Sequence, residues 1–474
     1  MKIASDKNPV MSTWLTDQGL RLDAGTYLSG ALETRKLIEK LPQATPLAEL
    51  TTGHNGGLFN GPMFRRIYVL DRDHGVPFLG SKDMQVLDLS NLPLLRQTDA
   101  ESARLSYLQL KPGMTLISCS GFNAGRRSYA RPDMAGIWSS QDVLKVEPDP
   151  HKIPSGYLYT FLASRFGEAL VKSAVYGTAV KHIEPQHIAN LPVPRFKSEL
   201  EQEIHDLVEE AAALRAAHQT GVRAATTDFF KSVGLAELDN YQWHKKKRDL
   251  GFAVTGLGAT SLRALNFAPR AQVILDKLAS TGHKSLGAIC EGGQLSRGTR
   301  FKRVDSNSEN GVQLIGQRQA FWLRPEGRWV ARASISPEVF AKDESILIAS
   351  QGTLGENEVF ARPIIATGSW LNFAYSEHFL RITSADPEIP GPYLFAFLRS
   401  EAAFRVLRSM SAGGKQQDIH DVLRAHLPIP LAPVTDRERI TETVRKAFRD
   451  RDHADVLEDE ALSLLTKAIE EASA

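Results

Sequence analysis

The loop Ser120-Gly121-Phe122-Asn123-Ala124-Gly125-Arg126-Arg127, with Arg131 close behind, gathers glycine, amide and guanidinium groups in one place. A guanidinium is a planar fork of donors that can engage two acceptors together, on a phosphate or on the edge of a guanine. Glycines let the backbone come close to such a surface. Asn123, Arg126, Arg127 and Arg131 are therefore candidates for contact with double-stranded DNA. A solvated surface turn is the competing reading.

Three further clusters have the same character. Gln294, Arg297, Arg300, Lys302 and Arg303 form a basic run, echoed by Arg65 and Arg66. Lys181-His182 and Lys415-Gln416-Gln417 stand in turns at matched places in the chain, with a helix-start surface as the alternative. Lys245-Lys246-Lys247-Arg248 is a charge run of the kind that is usually just solvated, although it can add a phosphate contact.

Catalytic signatures are missing. The chain has no Asn- or Asp-Pro-Pro-aromatic tetrapeptide, no Asp-x-Lys or Glu-x-Lys tripeptide, and no Gly-x4-Gly-Lys-Ser/Thr phosphate loop. Gly256-Leu257-Gly258 lacks a third glycine and marks a loop. His182 and His187 have no acidic or cysteine partner at metal-ligand spacing. These observations predict no catalytic residue, no metal and no cofactor in this chain.

The elements that must carry these clusters come from an internal duplication. With a shift of 236, Pro154, Tyr157, Leu158, Phe161, Leu162 and Ser164 fall on Pro390, Tyr393, Leu394, Phe397, Leu398 and Ser400. The same shift carries Gly177, Ile183, Ala189, Leu191, Pro192 and Pro194 onto Gly413, Ile419, Ala425, Leu427, Pro428 and Pro430, and Gly75-Val76 onto Gly311-Val312. Leu116-Ile117 matches Leu347-Ile348 slightly out of phase, and Phe64-Arg65-Arg66 falls on Phe301-Lys302-Arg303 at 237.

Each half reads as a globular part with short strands, such as Thr115–Ile117 and Ser345–Ala349. An amphipathic segment follows, Tyr157–Val175 or Tyr393–Met410, then a Leu-Pro-x-Pro turn, then a long helix. The first helix sets Leu200, Ile204, Leu207, Ala211 and Leu214 at a 3.5-residue period, with Ser198 as N-cap and Glu201 completing a capping box. Glu199, Glu201, Glu203, Asp206, Glu209 and Glu210 are placed on its outer face, against Lys197 and Arg215. That face repels phosphate and suits solvent or a protein. The second helix carries Ile440, Val444, Phe448, Leu457, Ala461, Leu464 and Leu465. An apolar stripe needs burial, so the two helices are expected to pair antiparallel.

The predicted architecture is α/β (α+β). Two similar globular domains with small mixed sheets occupy 1–195 and 236–431, and coiled-coil helices occupy 196–235 and 432–474, with internal pseudo-twofold symmetry. About 30 helical residues span roughly 45 Å, or roughly 13 base pairs of B-DNA at about 3.4 Å each. That spacing suits two short blocks of sequence separated by an unread gap.

Composition sets outer limits. With 474 residues, 42% hydrophobic and 24% charged, the chain reads as a folded protein of two or three domains. A net charge of +2 decides nothing about nucleic acid. Two isolated cysteines, Cys119 and Cys290, suit a reducing cytoplasm, and no apolar stretch predicts a signal or a membrane span.

In the order of its parts the chain resembles the specificity subunits of type I restriction–modification systems. The carrying residues are Gly177-Thr178-Ala179-Val180-Lys181-His182-Ile183, Leu191-Pro192-Val193-Pro194 and Glu201-Gln202-Glu203-Ile204, with Gly413–Ile419 and Leu427–Pro430 in the second copy. Arg21-Leu22-Asp23-Ala24 with Tyr27, and the region from Arg263 to Pro269, resemble segments that open a recognition domain. Asp436-Arg437-Glu438 departs from the family's Glu-Gln pair.

The resemblance implies two target recognition domains reading a bipartite DNA sequence. It also implies helices marked by Leu200, Ile204, Leu207, Leu214, Ile440 and Val444 that dock adenine-N6 methyltransferase subunits. Those partners use S-adenosylmethionine, and a motor-nuclease subunit can join them. Two other readings stay open: an adaptor in a related antiphage assembly without strict sequence readout, and an enzyme with degenerate nuclease or methyltransferase motifs.

Overall fold

A computed structural model of the chain describes residues 10–17, 27–177, 181–255, 257–258 and 260–473. The chain forms two compact units, Met1–Ala216 with His453–Ala474, and Ala217–Asp452. The expected boundaries near 195 and 431 mark where the long helices begin. Packing instead divides the chain inside those helices, so each helix gives one part of its length to each unit.

The first unit is built on two small sheets. One orders Leu58–Phe59, Val143–Val146, Thr115–Ser118 and Arg127–Tyr129 side by side, all antiparallel. The other orders Tyr68–Val69, Leu94–Arg96, Gly75–Leu79 and Trp138–Ser139, with the last pair parallel. Thr115–Ser118 is buried along its whole length, which suits a strand covered on both faces and explains its unbroken apolar reading. Ala44–Pro46 pairs with Pro192–Pro194 and ties the start of the unit to its closing turn.

The second unit repeats this topology with one strand fewer in its second sheet. Gln294–Arg297, Phe379–Thr383, Ser345–Ala349 and Pro363–Ala366 form one sheet in the corresponding order. Arg328–Ala331, Gly311–Ile315 and Ala374–Tyr375 form the other, again with the last pair parallel. His283–Ser285 pairs with Pro428–Pro430. The predicted duplication is therefore present in the strand order and pairing, and not only in residue identity.

Each expected amphipathic segment is two helices rather than one: Ser155–Ala163 then Arg165–Ser173, and Gly391–Leu398 then Glu401–Ser409. A serine makes the break in both. Ser164 accepts from the Gly167 N–H at 3.2 Å and Ser400 from the Ala403 N–H at 3.1 Å, capping the second helix of each pair.

The long helices run over Ser198–Ser232 and Val434–Ser473. In the first unit Ile204, Val208 and Ala212 pack in one core with Ala461, Leu465 and Ile469. In the second unit Val222, Ala225 and Phe229 share a core with Ile440, Val444 and Phe448. Early residues of one helix thus meet late residues of the other in both units, which is antiparallel pairing. Gly221 permits close approach in the second unit, where a Cβ would lie 3.0 Å from the Cβ of Ala447.

The buried stripe is rotated from the predicted one. It runs through Glu201, Ile204, Val208, Ala211, Arg215, His218 and Val222, while Leu200, Leu207 and Leu214 are half-buried at its margin. Glu201 and Arg215 are therefore inside, not on the outer face. Glu201 also makes no capping box with Ser198, which is itself helical. Its carboxylate accepts from the Phe196 N–H at 2.9 Å and from the Arg195 guanidinium at 2.9 and 2.7 Å. Arg215 donates to Asp455 at 2.9 Å and to Glu458 at 3.0 and 2.7 Å. Buried polar residues, Glu201 paired with the preceding turn and Arg215 across the helices, break an apolar periodicity, which is why the leucines misplaced the stripe.

Candidate nucleic-acid interface

Sheet pairing brings two of the predicted clusters together in the first unit and repeats the arrangement in the second. In the first, Ser120 pairs with His182. The Gly121 N–H donates to the Lys181 carbonyl at 3.0 Å, and the Ile183 N–H to the Cys119 carbonyl at 2.9 Å. In the second, Gly352 and Gln417 exchange backbone hydrogen bonds at 3.3 and 2.8 Å. The loop after the central strand and the turn before Ile183 or Ile419 are one composite edge in both units. Gly177 and Gly413 open that turn with φ of 95° and 96°, a left-handed conformation that favours glycine.

A shared arginine contact supports this edge. The Arg66 guanidinium donates to the Gln141 side chain at 2.6 Å and lies 3.3 Å from Asp142, which accepts from the Ser120 hydroxyl at 2.9 Å. In the second unit Arg303 donates to Glu377 at 2.5 Å, and Glu377 stands 236 positions after Gln141. Burial acts to raise the Glu377 pKa, yet its own backbone hydrogen bond and Arg303 hold the carboxyl below the ordinary value. Sequence reading missed this pair. Its signal was the coincidence of two offsets, 236 for Gln141 and 237 for Arg66.

Around Glu377 the basic run becomes a surface. Arg300, with a side chain 88% exposed, lies 3.8 Å from the carboxylate, and Lys302 is exposed beside it. Arg297 donates to the Glu377 carbonyl at 3.4 Å and pairs with Asp418. Gln294 is half-buried on the same strand and donates to Ser296 at 3.3 Å. The backbone of Gln351 exchanges hydrogen bonds with the Gln317 side chain at 2.8 and 3.1 Å. The exposed tips of this assembly are Arg300, Lys302, Lys415 and Gln416.

Several predicted contacts are turned inward instead. Arg127 has a side chain only 10% exposed, pairs with Glu168 at 2.9 Å and donates to the Gly125 carbonyl at 2.7 Å. Arg131 is buried and gives both arms of its fork to Asp133 at 2.9 Å. Gln417 is buried, accepting from Arg263 at 2.6 Å and donating to the Gly414 carbonyl. These three residues shape the edge from within and are not placed for direct contact. Lys181 and His182 are exposed, and Asn123 and Arg126 are half-exposed. Thr178–Val180 and Arg21–Ala24 lie outside the described residues, as does Gly256.

The corresponding loop of the second unit, residues 351–357, has no arginine of its own but borrows two. Arg405 donates to Glu356 at 2.8 Å and Arg408 to the Gly355 carbonyl at 3.1 Å, both from the helix Glu401–Ser409. The helix seam departs from expectation in the same inward sense. Ile204, Ile440 and Val444 are fully buried in the chain's own cores, so a partner would meet residues beside them, such as Glu203, Asp206 and Glu210, which are exposed.

Among solved structures, the chain is similar to the S subunit of a type I restriction–modification system from M. genitalium, at 13% identity and a TM-score of 0.34, over 93% of this chain and 97% of that one. It is also similar to the HsdS subunit from Thermoanaerobacter tengcongensis, at 12% identity and a TM-score of 0.28, over 91% and 97%. No family model matches, and no curated protein matches.

Among the described residues no group of three or more His, Cys, Asp or Glu side chains could hold a metal ion, and no helix is long and apolar enough to cross a membrane. Cys119 and Cys290 are both buried free thiols, pushed up to about 11 and about 12 by burial first of all.

Proposed function

We propose that this chain is the DNA-reading subunit of a type I-like restriction–modification complex, choosing the site at which partner subunits act. The observation that carries the reading is the repeated composite edge with different tips. The turn exposes Lys181 and His182 in the first unit, and in the second it exposes Lys415 and Gln416, two positions earlier in the repeat, on the same pairing of loop and turn. One scaffold with two sets of side chains suits two different half-sites. Lysines supply sequence-independent phosphate attraction, while amides and guanidinium groups discriminate base edges.

The chemistry falls to partners in this reading. Adenine-N6 methyltransferase subunits carrying S-adenosylmethionine dock on the outward faces of the long helices, where Glu203, Asp206 and Glu210 offer an acidic surface. A motor-nuclease subunit completes a restricting complex.

Titration of the purified chain against duplex DNA tests the reading. Binding is expected to depend on sequence, and log K to fall with log salt at a slope of about −5 if about six phosphates are neutralised. Equal affinity for every duplex would favour an adaptor without readout. Methylation or cleavage by the isolated chain would favour an enzyme.

A further inference from the structure

The charge run Lys245–Arg248 has no place in the interface described above, and it borders a cavity of about 610 Å³ within the second unit. A concavity of that size is in the range of small-molecule sites, about 300–1,000 Å³. Its walls are chemically divided. One side is apolar: Phe252 is half-buried, and Leu250 and Val273 are 77% and 47% exposed, so water now covers apolar surface there. The other side is cationic, with Lys246, Lys247 and Arg248 all exposed.

Charge pairing leaves a surplus at this wall. Glu237 is engaged by Lys277, and Asp249 accepts from both the backbone N–H and the guanidinium of Arg270, at 2.9 and 2.8 Å. Both lining acids are thus neutralised by lining bases. Arg270, which lines the cavity, is also stacked on Trp243 at 4.1 Å. Lys246 lies 5.4 Å from the ring centre of Tyr241 and, among the described residues, has no acidic partner at ion-pair distance. Among the described residues Lys247 and Arg248 have no acidic partner at ion-pair distance either. Three unneutralised cations beside an apolar wall call for a ligand with an anionic end and a flat apolar body.

We propose that this cavity binds a mononucleotide, with its phosphate against Lys247 and Arg248 and its base against Phe252 and Val273. Duplex DNA can offer this concavity a backbone phosphate but cannot seat a base in it while the base remains stacked. The site is therefore assigned to a free nucleotide and not to the DNA that the two composite edges would grip. It does not depend on how either edge reads sequence.

Calorimetric titration of the full chain with AMP, and separately with inorganic phosphate, tests the assignment. AMP is expected to bind at least tenfold more tightly than inorganic phosphate. The exposed double variant Lys247→Glu/Arg248→Glu should weaken AMP binding at least tenfold with an unchanged circular dichroism spectrum. Phe252→Ala should weaken AMP but leave phosphate as it was. The proposal is overturned if AMP does not bind, if phosphate binds as tightly as AMP, or if the double variant binds AMP like the parent. It is equally overturned if the double variant loses only affinity for duplex DNA, which would make the run a backbone contact.

Discussion

The Tyr157 hydroxyl donates to the Pro194 carbonyl at 2.6 Å, joining the helix Ser155–Ala163 to the turn that launches the long helix. Tyr393 does the same to Pro430 at 2.9 Å, 236 positions further on. Both tyrosines are fully buried, and burial pushes the Tyr157 hydroxyl well above its ordinary pKa. The bond leaves no polar atom stranded at a point where proline has removed a donor.

Replacing either tyrosine by phenylalanine keeps the ring and strands the carbonyl. Tyr157→Phe and Tyr393→Phe are each expected to lower stability by about 1–3 kcal/mol, read as a shift of the urea midpoint. Because the two bonds lie in separate units, the double variant should show the sum of the single effects. A neutral result for both would mean that the closing turns are not fixed by these bonds.

The buried Arg215 is a stronger dependence. Its guanidinium is enclosed between Asp455 and Glu458, and removing one partner of a buried pair leaves the others uncompensated. Arg215→Met should cost about 3–5 kcal/mol. The triple variant Arg215→Met/Asp455→Leu/Glu458→Leu should recover most of that loss. Failure of the triple variant to recover would show that the arginine contributes through packing alone.

Lys145 gives the fold a pH signature. It is fully buried, donates to the Val143 carbonyl at 3.0 Å and lies 5.6 Å from the Phe59 ring centre. Burial pushes its pKa from 10.5 down to about 7, with Cys119 opposing. Between those values the unfolded chain holds a proton that the folded chain lacks, so stability rises with pH across that window and is lost again as pH falls toward 7. The slope from this group is at most about 1.4 kcal/mol per pH unit. Lys145→Met should remove that rise between pH 7 and 9, as measured by denaturant titration. An unchanged slope in the variant would contradict the assignment.

At the interface, tips and supports should separate by their effects. Lys181→Ala and Lys415→Ala are each expected to weaken binding to all duplexes similarly and to reduce the salt slope by about 1. Gln416→Ala should instead change preference among sequences by about 1–3 kcal/mol at one half-site. Filter-binding or fluorescence titrations across a range of salt distinguish the two. A change of sequence preference in the lysine variants would make the lysines readers of bases and not phosphate contacts.

How far the sequence could be read follows from the same residues. The duplication was legible because Tyr157, Ser164 and Pro194 recur at one offset, and they recur because each makes the same bond in both units. The extents of the long helices were legible from proline turns and apolar spacing. Which helix face is buried was not. Glu201 is buried against Arg195 in the preceding turn, and Arg215 is buried through Asp455 and Glu458, a pairing across the fold that leaves no local pattern.

The equivalent of Glu201 is Arg437, where the charge is reversed and the partner is Glu388. Both helices still begin alike. The N–H groups of Leu200 and Glu201 donate to the Lys197 carbonyl, as those of Asp436 and Arg437 donate to that of Pro433. The reversal of charge is thus met by a complementary partner. Among the candidate contacts, a loop rich in arginine could not reveal that Arg127 and Arg131 point into their own unit.

Sequencing modified adenines in a host genome, with and without this gene, tests the central claim most directly. The account predicts a motif in two blocks separated by a fixed gap, absent when the gene is deleted, with Gln416→Ala altering one block and leaving the other intact. A single uninterrupted motif, or one that persists without the gene, would contradict it.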